Sequence, residues 1–221
     1  MVSDSTPGLA PPGKDIVDPS SPVVQAQVLL TEFFETDPVP DIATPSSQAC
    51  GLLAANHLMQ LVQACSALGL TGKHSASVVL LRSLEDALDC FAAVTLVLGA
   101  AEDWAARNLR PSEAAKRWTV LLRDEVVSGE FTLADYRKAA RDTFNQYAHC
   151  SYDLCLWDIY LRHAPHPDTG EPGVVLEINR TGLVIESNAH SLDAHLTMLI
   201  LEFLGLVMRA YSSALLDSSR G

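Results

Sequence analysis

Between Ala49 and Ala101 the chain carries only five charged residues, Lys73, Arg82, Glu85, Asp86 and Asp89, and the last four fall within eight positions. A stretch this poor in charge has to bury most of its surface, and its Leu, Val and Ala residues recur at helical spacing. The charges it does carry are therefore the constraint. At ~100° per residue Arg82, Glu85, Asp86 and Asp89 share one face of a helix, while Val79, Leu80, Leu84, Leu88 and Phe91 cover other directions. Two readings follow. The face is the solvated strip of an amphipathic helix, with Arg82 paired to Glu85 or Asp86 at i+3 or i+4; or it is a polar pocket inside a bundle, where every charge needs a partner because an unpaired one costs several kcal/mol.

The rest of the 221 residues supports a folded chain with a distinct leading segment. Residues are 48% hydrophobic and 19% charged, which suits a soluble globular domain. The formal charge is -12, and seven acids against the single base Lys14 lie in the first 43 residues. That balance disfavours non-specific attraction to nucleic acid or anionic lipid. Residues 1–20, rich in Pro, Ser, Asp and Gly, read as a disordered acidic tail. Residues 21–216 are expected to form one domain and 217–221 a short C-terminal tail. The five cysteines, Cys50, Cys65, Cys90, Cys150 and Cys155, show no C-x-x-C spacing and read as reduced core thiols of a cytoplasmic protein. The N-terminus lacks the pattern of a secretory signal. The apolar runs Ala87–Ala101 and Thr197–Met208 carry Asp89 and Glu202 and are short of the ~18–20 residues that span a bilayer, so they are expected to be buried helices.

Start and stop signals divide the chain into helices. Ser21-Pro22 opens one that runs to about Glu35, stopped by Pro38 and Pro40. Thr44-Pro45 opens a long one that runs to Gly69 and Gly72, and a third extends from about Ser75 to Leu98, before Gly99. A short helix over 102–108 and another from Pro111 follow. Thr132 and Asp135 form a capping box opening a helix that could reach Arg162, with a break near His149. Val174–Ile178 and Leu183–Glu186, joined by Asn179-Arg-Thr-Gly182, read as a β-hairpin. The last helix, from about Ala189 to Leu216, carries Leu192, Leu196, Leu199, Phe203, Leu206 and Tyr211 on one stripe. The expected fold is all-α, a bundle of four to five main helices with one β-hairpin before the last.

A second polar line, Lys138, Asp142, Asn145, His149 and Asp153, lies opposite Leu133, Tyr136, Ala140, Phe144, Tyr147 and Leu154, as on a solvated helix face. His57 and His195, among apolar neighbours, are expected in the core. No metal site is expected, since the chain has no H-E-x-x-H and no Glu-x-x-His pair, and no cofactor fingerprint is present.

Arg82-Ser-Leu-Glu85 on an apolar helix, then Asn145-Gln-Tyr-Ala-His149-Cys-Ser151 on a later one, then a hairpin and an apolar last helix, together resemble the HEPN superfamily and, more narrowly, its bacterial abortive-infection-like members. The resemblance spans about residues 46–215 and its motifs are short. It implies a helical, commonly dimeric protein that cuts RNA without metal through an Arg-x(4 to 6)-His motif. Arg141 and His149 supply the residue types, with seven residues between them; on a regular helix that spacing turns them ~80° apart. The resemblance implies His149 as general base or acid and Arg141 or Arg82 stabilising charge; the pocket reading of the helix face adds Glu85 as an acceptor to this candidate catalytic set. The expected partners are a second copy of the chain and RNA, with no DNA and no membrane, and a protein partner through the acidic N-terminal tail. The alternative is a non-catalytic dimerisation or partner-binding module, with an apolar interface around Leu199, Phe203 and Leu206. A third reading is a small-ligand sensor built on Arg82 and Glu85 inside the bundle.

Overall fold

A computed structural model describes residue 28 and residues 45–122, 125–129, 131–147, 152–165, 168–180 and 182–218. The acidic tail and the proline stop at 38–40 lie outside these residues, as does the helix expected from Pro22, apart from Val28, which is helical. The fold is a helical bundle with a two-stranded antiparallel hairpin before its last helix, as expected.

Helix α1 (Ser47–Leu70) and helix α2 (His74–Leu96) form an antiparallel pair. The start of α1 is one turn signal later than Thr44-Pro45 indicated: the Ser46 hydroxyl accepts the Ala49 N–H at 3.1 Å, satisfying a donor the first turn cannot. Gly51 lets the two helices approach, since a Cβ there would stand 2.7 Å from Thr95 Cγ2. At the other end Cys65 and Ser77 interlock, the Ser77 hydroxyl donating to the Cys65 carbonyl at 2.7 Å. The turn between them passes through Gly72, whose φ of +70° suits only glycine and whose Cα faces the Gly182 carbonyl so closely that a Cβ would lie 2.2 Å from that oxygen.

Helix α3 (Ala100–Ala105) follows the left-handed Gly99, and α4 (Pro111–Thr119) opens on proline, where the missing N–H costs nothing. A 3-10 turn (Val120–Leu122) leads to a short ribbon that the sequence reading missed, β1 (Val126–Ser128) paired with β2 (Phe131–Thr132). Its strands of two and three residues are too short to leave a periodic signal. The capping box forms as expected: Thr132 N–H donates to Asp135 and Asp135 N–H to the Thr132 hydroxyl, opening α5 (Leu133–Tyr147).

Helix α5 does not reach Arg162. Residues 152–156 form a separate short helix, α6 (Tyr152–Leu156), and Ile159 onward is strand. The hairpin therefore pairs β3 (Ile159–Pro165) with β4 (Pro172–Ile178), in register Leu161 with Leu176 and His163 with Val174, rather than pairing Val174–Ile178 with Leu183–Glu186. Gly182 is left-handed at φ +72°, as the turn reading expected, while Thr181 lies outside the described residues. However, the Asn179 amide takes both backbone groups of Leu183, at 2.7 and 2.8 Å, that a strand at 183–186 would need for its ladder. The chain then enters α7 (Glu186–Ser218).

Helix α2 is central, packed against α1, α4, α5 and α7. The stripe Leu192, Leu196, Leu199, Ile200, Phe203 and Leu206 of α7 is buried, and Phe203 meets Phe91 edge to face at 4.7 Å. Leu199, Phe203 and Leu206, expected at an intermolecular interface, are thus spent within the core. By length and composition alone α7 is long and apolar enough, over Glu186–Ala210, to cross a membrane. His57 and His195 are exposed, not core residues; His195 lies edge-on to Phe144 at 5.4 Å. Cys50, Cys65 and Cys90 are buried thiols, as expected, whereas Cys155 is exposed.

Candidate functional site

The charged face of α2 is turned inward onto α5. Glu85 and Asp89 are buried, and both lean on Arg137 of α5, which is itself 1% exposed. The Arg137 guanidinium pairs with Glu85, with Asp89 at 3.0 Å and with Glu202 of α7 at 3.2 Å, and it donates to the Glu85 carbonyl at 3.3 Å. Its Cζ stands 5.9 Å from the Trp118 ring of α4. Asp89, 0% exposed, is the best served of the acids: Trp118 Nε1 donates to it at 2.9 Å, Arg137 at 3.0 Å and Arg141 at 2.6 Å. Four helices, α2, α4, α5 and α7, thus converge on one buried guanidinium.

Towards the surface the same two helices continue the network. Arg82 pairs with Asp86 one turn along α2 and donates through Nε to Asn145 of α5 at 2.7 Å. The two readings of this face therefore each hold for part of it: the Arg82–Asp86 pair is the helical i, i+4 pair, while Glu85 and Asp89 belong to an interior cluster. Lys138, Asp142 and Asp153 are exposed, as a solvated face predicts. Of the residues proposed for catalysis, Arg82, Glu85 and Arg141 come together along the α2–α5 seam; His149 lies outside the described residues.

Burial sets the protonation chemistry. It pushes Glu85 above the usual carboxylate range in spite of Arg137, and Asp86 likewise in spite of Arg82. Glu202 is pushed up to about 7, by burial first and then by Glu85 and Asp89, with Arg137 opposing. Burial also disfavours the charge on Arg137, but Glu85, Asp89 and Glu202 outweigh it and hold the guanidinium protonated. The Cys90 thiol, buried beside Asp89 and Asp86, is pushed up to about 11, which makes it a poor nucleophile.

Asp89 belonged to the charged face read as a possible pocket, though not to the proposed catalytic set; Arg137, Glu202 and Trp118 were not singled out from the sequence as site residues. A signal was present for one of these three. Glu202 is the lone acid in the apolar run 197–208, and an isolated charge in a buried helix demands an opposite charge from elsewhere. Arg137, exactly one turn before Arg141, was hidden by its place between Tyr136 and Lys138 at the edge of the apolar stripe.

The arrangement is a set of cations already engaged by carboxylates. An incoming phosphate would have to displace Asp89 from Arg141 or Asp86 from Arg82. Among the described residues no three His, Cys, Asp or Glu side chains are grouped so as to hold a metal ion. No protein-family model matches the chain, and no curated protein or solved structure resembles it closely enough to match.

Proposed function

We propose that the chain is a non-catalytic helical module that associates with a second copy of itself, and that its charged seam is structural. The observation that carries this reading is the β3–β4 ribbon. Alternation and register put Ile159, Leu161, Val174, Leu176 and Ile178 on one face, together with His163 opposite Val174, and Leu161 and Leu176, directly opposite one another, are 68% and 70% exposed. The other face is polar, with Glu177 accepting from Tyr160 at 2.6 Å and from Arg162 at 2.9 Å. A two-stranded ribbon is marginally stable alone and gains stability when its apolar face is covered. Val174 and Ile178, at 55% and 59% exposed, extend the apolar patch around Leu161 and Leu176, and contiguous exposed aliphatic groups favour association. The face carries no carboxylate or guanidinium, and His163 is its one ionisable side chain among the described residues, which suits an identical, mainly aliphatic face as its partner.

Mass measurement in solution tests the reading. The wild-type chain is expected to be dimeric at micromolar concentration, and Leu161→Glu with Leu176→Glu to be monomeric with unchanged helical circular dichroism. A monomeric wild type, or a dimer that survives both substitutions, overturns it.

A second reading, metal-independent RNA cleavage of the HEPN kind, is favoured by the Arg82–Asn145 contact, which joins the helices bearing the two resembling motifs. In that chemistry the ribose 2′-oxygen attacks phosphorus, a 2′,3′-cyclic phosphate forms and the 5′-oxygen leaves. His149 would take or give the proton, and Arg141 or Arg82 would stabilise the added charge. His149→Ala should then abolish cleavage without changing the fold; cleavage that persists refutes the assignment.

A further inference from the structure

We infer that Glu202 carries an exchangeable proton for the buried cluster, so that α7 is latched onto α2 and α5 while the proton is bound and loosened when it leaves. This holds whether or not the ribbon dimerises. The first argument is a charge count. Glu85, Asp89 and Glu202 surround Arg137, and among the described residues Arg141 is the second cation in contact with any of them. With all three acids ionised these five groups are one negative charge in excess, in a largely buried place where water screens it poorly; with one acid protonated they are neutral.

The second argument says which acid holds the proton. Asp89 receives three donors and Glu85 takes the most intimate contact with Arg137. Glu202 receives one contact, at 3.2 Å, from the same Arg137 nitrogen that Glu85 engages, and its Oε1 is buried with no hydrogen-bond partner. It is the carboxylate with least to lose on protonation. It is also the acid at the edge of the group, its side chain 13% exposed against 0% for Asp89, so a proton can reach it from solvent. The upward displacement of its titration to about 7 agrees with this placement.

The groups that face it decide what ionisation does. Helix α2 presents Glu85 and Asp89, both acidic; α5 presents Arg137 and the half-buried phenol of Tyr136, whose own proton is held more tightly by burial first and then by Glu202 and Glu85 nearby. When Glu202 loses its proton to water, the new charge is attracted by Arg137 and repelled by the two α2 acids. The contact between α7 and α2 is the one that weakens. A carboxyl titrating near neutrality thereby links helix seating to pH.

Carbon-13 labelling of the glutamate side-chain carboxyls in the full chain provides the test. One glutamate is expected to titrate with a midpoint near 7, well above the ordinary 4.5, and its signal should be absent in Glu202→Gln. Amide exchange over α7 should accelerate on going from pH 6 to pH 8.5, after correction for intrinsic rates, in the wild type and not in Glu202→Gln. If no glutamate of the wild-type chain titrates above pH 6, or if α7 protection responds to pH equally in both chains, the inference fails. The wild-type titration decides the matter even if the variant does not fold.

Discussion

Replacing Arg137 by methionine removes the guanidinium that touches Glu85, Asp89 and Glu202 together while keeping most of its volume. Asp89 retains Trp118 and Arg141, and Glu202 is already poised to be neutral near pH 7, so the damage concentrates on Glu85. A buried charge stripped of its partner costs ~3–5 kcal/mol. The chain can limit that loss by protonating Glu85, and holding a carboxyl of ordinary pKa 4.5 neutral at pH 7 costs about 3 kcal/mol, at 1.36 kcal/mol per pH unit. The same neutralisation costs about 1 kcal/mol at pH 5. Arg137→Met is therefore expected to lose about 3 kcal/mol at pH 7 and about 1 kcal/mol at pH 5, read from urea unfolding followed by circular dichroism. Adding Glu85→Gln should recover much of the loss at pH 7. A penalty below ~1 kcal/mol at pH 7, or one that does not shrink on acidification, would refute the account of Arg137 as the cation the core depends on.

Gly72→Ala combines a left-handed backbone with a Cβ 2.2 Å from the Gly182 carbonyl oxygen and should lower stability by at least ~2 kcal/mol, whereas Gly129→Ala, with nothing within 4 Å, should lose less; thermal unfolding of the pair separates steric conflict from backbone strain. Trp118→Phe keeps the ring and removes one donor from Asp89, for an expected loss of ~1–3 kcal/mol by urea titration. His74 accepts the Ile185 N–H through Nε2 at 2.9 Å, and burial first, with Asp158 opposing, holds its pKa below the ordinary 6.5. The unfolded chain therefore takes up that proton first, so the stability His74 contributes is complete above about pH 6.5 and declines as pH falls; His74→Gln should flatten the unfolding profile between pH 7 and 5.

The helices were legible because each carries its own punctuation. Pro111, the Thr132–Asp135 box, Gly72 and Gly99 are local signals that need no tertiary information, and the charge-poor span 49–101 requires burial wherever it packs. The hairpin was half legible. Val174–Ile178 has the composition of a strand, but its mate, Ile159–Pro165, continues a helical pattern in sequence and becomes a strand only by pairing; no local spacing distinguishes the two. The same limit applied to the charged seam. That Glu85 and Asp89 needed partners was readable on α2, yet whether Arg137, Arg141 or Lys138 would supply them depends on how α5 is rotated about its axis. Arg137 looked like a margin residue and proved to be the one most deeply enclosed.

The approach of Gly182 to Gly72 has a consequence for the order of assembly. Asn179 donates to the Gly72 carbonyl, and His74 accepts from Ile185, across 107 and 111 positions of chain. The α1–α2 pair closes only a tight turn and can form early, whereas this fastening waits for a very long loop to close. Refolding should accordingly show helix content appearing before the Gly72–Gly182 crossing locks, and weakening that crossing should speed unfolding while leaving the early helical phase untouched.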